Sequence, residues 1–193
     1  MIRKIGLCVA IILVIKLSSS AQETTSNGQA LNIPFKKYGL SIGNSYEFNG
    51  IRINFADKDV KRINGLNVTF WLKLNGNTNA IVNGISLGII PTAGRMGPIN
   101  IGVLGVGTSD NNLNGFSFGG LGIGSGGNVN GLSLGGLIIM TDGDNSEISG
   151  ISLAGLGIGA KKAINGISIA GLVIGSDNNI NGITASLVYT SCK

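Results

Sequence analysis

The chain has 193 residues, with 33 glycines, no histidine, 43% hydrophobic and 12% charged residues, and a formal net charge of +5. The absence of histidine excludes triads built on an imidazole base and His-containing metal sites. The apolar content is enough to bury a core, and the glycines fall at fixed repeat positions rather than in runs, which excludes a flexible low-complexity linker.

At the N-terminus, Arg3 and Lys4 precede an apolar run from Ile5 to Ile15, then Lys16-Leu17 and the small residues Ser19-Ser20-Ala21 before Gln22. The run is shorter than the ~20 residues needed to span a bilayer. The pattern therefore predicts a signal peptide over 1–21, cleaved after Ala21. Leu7 before Cys8 excludes a lipid-attachment site. Loss of Arg3, Lys4 and Lys16 leaves 11 basic against 9 acidic residues, a net charge of +2. Cys192 would then be the one thiol, so no intramolecular disulfide is expected. The remaining clusters, Lys36-Lys37, Lys58 with Lys61-Arg62, and Lys161-Lys162, have no interleaved aromatics, so nucleic acid is excluded as a partner.

Residues 22–48 are expected to form an N-terminal cap or linker, 49–184 the repeat domain, and 185–193 a C-terminal cap. In the first repeats, Ile51-Arg52-Ile53-Asn54-Phe55 and the segment Leu66 to Leu74 alternate without a break, which predicts longer, straighter strands. Seven of the ten aromatics lie between Phe35 and Trp71, marking this as a thicker end of the repeat array. Asn67-Val68-Thr69 fits a glycosylation sequon but reads as strand.

The repeat restarts at Asn49, Asn64, Asn83, Gly97, Asn114, Asn130, Ser149, Asn165 and Asn181, at intervals of 15, 19, 14, 17, 16, 19, 16 and 16 residues. Extra residues fall in polar stretches such as Thr141 to Glu147, where surface turns absorb insertions. Glycine and β-branched residues exclude helix, leaving short strands. Successive strand residues point to opposite faces, so Ile167 and Ile169 share a face while Leu172 and Ile174 fall in the other phase. The same shift separates Phe116 and Phe118 from Leu121 and Ile123, and Ile151 and Leu153 from Leu156 and Ile158.

The pairs Gly119-Gly120, Gly135-Gly136, Ala154-Gly155 and Ala170-Gly171 sit at the phase change, as corner residues tolerant of unusual dihedrals. A corner there turns all four apolar residues inward and makes each unit one coil of an all-β solenoid of about nine coils. Ser117, Ser133, Ser152 and Ser168 would form an outer ladder, Leu121, Leu137, Leu156 and Leu172 an inner one, and the asparagines a corner ladder. At ~4.8 Å per coil the rod would be on the order of 40 Å long. The alternative is an antiparallel meander or outer-membrane β-barrel. Against it stand the lack of aromatic girdles after Phe118, turns that do not alternate in length, and the broken parity.

Chemistry is sparse. Gly122-Ile123-Gly124-Ser125-Gly126-Gly127 matches G-x-G-x-x-G but lacks a following helix and a downstream acid, so no nucleotide or other cofactor is expected. Asp142, Asp144, Ser146 and Glu147 place oxygens in a calcium-like spacing, against the alternative of an acidic surface turn. The calcium-binding nonapeptide pattern fails where Gly124 replaces its aspartate.

The units Tyr38-Gly39-Leu40-Ser41-Ile42-Gly43, Asn83-Gly84-Ile85-Ser86-Leu87-Gly88 and Asn165-Gly166-Ile167-Ser168-Ile169-Ala170 resemble the Asn-Gly-apolar-x-apolar-Gly repeats of bacterial glycine-rich surface-repeat proteins. The resemblance spans most of 38–188, departing where Ser86 and Ser168 replace a more usual Gln. It implies export to the cell surface, periplasm or outer membrane of a Gram-negative bacterium, and it carries no catalytic residues. The expected function is thus a non-enzymatic structural or adhesive surface module, with cell-surface or envelope components as partners and room for self-association. An outer-membrane barrel is the alternative, and a self-assembling or ice-binding rod the third reading.

Overall fold

The computed structural model describes residues 30–35, 38–71, 79–109 and 111–192; the expected leader lies outside them. These residues contain no helix and nineteen strands. They are β1 (Ala30–Phe35), β2 (Tyr38–Gly43), β3 (Glu47–Ala56), β4 (Arg62–Trp71), β5 (Ile81–Gly88), β6 (Thr92–Ala93), β7 (Arg95–Met96), β8 (Ile99–Gly102), β9 (Gly105–Thr108) and β10 (Leu113–Gly119). There follow β11 (Gly122–Ser125), β12 (Val129–Gly135), β13 (Ile138–Thr141), β14 (Glu147–Ala154), β15 (Gly157–Ala160), β16 (Ala163–Ala170), β17 (Val173–Ser176), β18 (Asn179–Ser186) and β19 (Tyr189–Cys192).

Two sheets build the rod, a larger one along its length and a smaller one that starts at Thr92. The larger has twelve strands, with the long strands β2, β3, β4, β5, β10, β12, β14, β16 and β18 stacked in sequence and β7 and β8 together filling one row; the smaller stacks β6, β9, β11, β13, β15, β17 and β19. From β5 onward each coil is one long-strand row of the larger sheet, a corner, one short strand of the smaller sheet, and a turn. Neighbouring coils pair in parallel and in register: Asn165 lies between Ser149 and Asn181, Ser168 between Ser152 and Thr184, and Ile174 beside Ile158. The fold is therefore the expected β-solenoid. A meander or barrel would need antiparallel neighbours, and only β1 against β2 is antiparallel among the pairings described. The ten-residue β3 and β4 are the longer strands expected near the N-terminus, and β19 completes the final coil by pairing with β17.

The asparagine ladder forms as expected, but inside the long strands rather than at the corner. Asn64 donates to Asn49 at 2.6 Å, Asn83 to Asn64 at 2.9 Å, Asn130 to Asn114 at 2.9 Å and Asn181 to Asn165 at 3.0 Å. The glycine after each asparagine has positive φ, +87° at Gly115 and +109° at Gly131, a region L side chains rarely adopt. The corner does fall at the small pairs, yet not through positive φ. A Cβ on Gly136, Gly155 or Gly171 would run into the carbonyl oxygen of the glycine one coil below, so glycine is required there by close stacking.

The assignment of inside and outside is corrected on most positions. Ser117, Ser133, Ser152 and Ser168 point into the lumen at 1–2% exposure, whereas Leu121, Leu137, Leu156 and Leu172 are 42–51% exposed. Phe118, Ile151, Leu153, Ile167 and Ile169 also face outward, while Ile123, Ile158 and Ile174 are buried as expected. The cause is the width of a 16-residue coil. The lumen takes one large side chain from each sheet: Leu113, Val129, Ile148 and Ile164 from the long strands, just before each restart position, and Ile123, Ile139, Ile158 and Ile174 from the short ones. Opposite the second set only small groups fit. A Cβ on Gly119 would come within 3.2 Å of Ile123 Cγ1, and one on Gly135 within 2.8 Å of Ile139 Cγ1. Serine, two residues before that glycine on the same face, shares the narrow space.

Candidate functional site

The calcium candidates do not converge. Asp142 and Asp144 are exposed on the turn before β14, but the Ser146 hydroxyl turns back to donate to the Gly143 carbonyl at 2.6 Å. The Glu147 carboxylate accepts from Asn165 at 3.1 Å and pairs with Lys162 at 2.6 Å across the coil interface. These bonds tie the turn to the next coil, and among the described residues no three His, Cys, Asp or Glu side chains group to hold a metal ion. The glycine-rich Gly122 to Gly127 segment is β11 and the turn into β12, with no helix to receive a phosphate. The sequon is buried: Asn67 accepts from Arg52 at 2.7 Å and donates to Thr69 at 3.2 Å. Cys192 is an exposed free thiol on the edge strand β19.

The N-terminal coils contain a polar cluster that sequence reasoning did not pick out. Arg52 and Asn67 occupy the rungs that Ser41 and Ser86 occupy in adjacent coils, and all point inward. Arg52 is fully buried and pairs with Asp57 at 2.5 Å; Asp57 also accepts from Thr69 and Asn54, and Arg52 reaches the Asn44 side-chain oxygen at 3.0 Å. The signal was an arginine at a serine rung. Its charge is compensated within the lumen, so the cluster fills the wider N-terminal coils, which the smaller sheet does not cover. Both terminal nitrogens of the guanidinium are engaged within the cluster, Nε alone being left without a partner, and the arrangement is structural.

What the outer surface presents is an apolar sector. Two columns stand on the outside of the larger sheet. One runs through Ile51, Leu66, Ile85, Ile99, Phe116, Leu132, Ile151, Ile167 and Ile183; the other through Ile53, Val68, Leu87, Ile101, Phe118, Leu134, Leu153 and Ile169. The Leu121, Leu137, Leu156 and Leu172 column continues the sector around the corner, and Ile138, Met140 and Val173 carry it onto the smaller sheet. The opposite edge is polar: asparagine ladder, Asp142, Asp144, Glu147, Lys161, Lys162 and Asp177. A shallow hollow over Thr108, Gly124, Met140 and Asp142 lies on the smaller sheet, with no buried acid or base aimed into it.

The chain matches no protein-family model, no curated protein and no solved structure in the comparisons made.

Proposed function

We propose that the chain is an exported, non-catalytic surface-repeat module: a rigid rod that presents its repeat as a contact surface to components of a Gram-negative cell envelope. The supporting observation is the unbroken register from β2 to β18, which lines up like side chains over the whole larger sheet and makes an extended face rather than a pocket. The asparagine ladder and Glu147 are bonded to side chains of neighbouring coils. An outer-membrane barrel would need closure of antiparallel strands, which this stacking lacks. Ice binding calls for a flat array of threonine hydroxyls, and the outward columns carry isoleucine, leucine and phenylalanine instead.

Fractionation of a Gram-negative host making the full chain tests the reading. The protein is expected in the envelope fraction with its mature N-terminus at Gln22 by mass spectrometry. Retention in the cytoplasm with Met1 intact would sink it.

A further inference from the structure

Parallel sheets are almost always covered on both faces, yet among the described residues nothing covers the outer face of the larger sheet, and neither apolar column carries a charge. Nineteen large hydrophobic side chains from Val103 onward, between 37% and 86% exposed, sum to on the order of 1,000 Å² or more, well above the ~300–600 Å² of the largest patch on a typical monomer. Two features decide what covers this surface. First, it is not flat. It begins on the larger sheet, rounds the Leu137, Leu156 and Leu172 corner, and continues onto Ile138 and Val173 of the smaller sheet. A second copy docked sheet to sheet would cover one side and leave the corner and the other side in water. A fluid medium covers all three. Second, among the described residues from Ile99 onward every Asp, Glu, Lys and Arg lies on the edge opposite that corner. The cross-section of the rod therefore has the segregation of an amphipathic helix lying in a membrane interface, where the apolar side sits ~5–10 Å deep.

We propose that the rod lies along a lipid leaflet, its leucine corner and flanking columns immersed among acyl chains and its charged turns in water. The proposal rests on the surface-module reading and names the component that the contact surface meets.

Flotation with vesicles of phosphatidylcholine tests it, using the full chain made in a Gram-negative host and purified in mild detergent. The wild-type protein is expected to float with these uncharged vesicles, in low and high salt alike, because the contact is apolar. L137E/L156E/L172E is expected to lose flotation about tenfold while keeping its β-type circular dichroism, since these side chains lie outside the core. D142N/D144N should float like wild type. Should the triple variant lose its fold, a polarity-sensitive dye on L156C, in a C8S/C192S background, reads the same contact. Its emission is expected to shift to the blue on adding vesicles while the same dye on D144C stays unchanged. Wild-type flotation by the triple variant, no shift at position 156, or equal shifts at both positions would overturn the proposal. So would a protein that stays at the bottom of the gradient as a two-chain particle, which would assign the face to a second copy. Cytoplasmic retention of the chain, by contrast, would count against export without touching the flotation result.

Discussion

The decisive residues of each coil are small ones in the lumen. Ser152 faces inward at 1% exposure and Leu156 outward at 43%, so S152D is expected to destabilise the rod by at least ~3 kcal/mol through a buried unpaired charge. L156D, on the surface, should stay within roughly 1 kcal/mol. Urea denaturation followed by circular dichroism separates the two, and equal losses would contradict the orientation described. G131A meets two obstacles, a φ of +109° and the Gly115 carbonyl in the place of its Cβ, and a loss of about 2 kcal/mol or more is expected in the same assay. R52M should cost ~3–5 kcal/mol because it strands Asp57, and adding D57L should recover much of that loss. Side-chain orientation is where the sequence misleads. Parity separates the two sets of positions but does not say which set meets water, and the usual rule of apolar inside fails when the outer face is itself apolar. The correct orientation was legible in size rather than polarity: Ser117 and Gly119 share a face, as do Ser133 and Gly135, and a face of serine and glycine can fit only a narrow lumen.

At the scale of the coil the sequence is far more informative, because register depends on spacing alone. Asn49, Asn64, Asn83, Asn114, Asn130, Ser149, Asn165 and Asn181 all lie on the repeating rung, and the extra length expected between Thr141 and Glu147 is taken up by the turn of residues 142–146 between β13 and β14. The corner was also placed correctly, although its glycines serve close stacking rather than unusual dihedrals. Since Ile164 and Ile180 are equivalent rungs, deleting Asn165 through Ile180 joins Ile164 to Asn181 in register. That variant is expected to keep its β-type spectrum and a cooperative melt at modestly lower temperature. Deleting Leu172 through Asn179 removes β17 and leaves a half-coil mismatch, and a much larger loss is expected in the same melt. Equal tolerance of both deletions would contradict the coil as the unit of folding.

On the whole-molecule scale, the polar edge stacks as faithfully as the core. Lys162 donates its backbone N–H to the Ser146 carbonyl at 2.9 Å, and Asn179 donates to Lys162 at 3.1 Å, so the turns around Asp144, Lys161 and Asp177 stand one above another in consecutive coils. Chain length varies in these turns without disturbing the strands between them. The rod is thus graduated like a ruler. A peptide grafted after Asp144 and another after Asp177 would be anchored two coils apart, about 10 Å, on one edge and facing one way, and each further coil would move an anchor by about 4.8 Å.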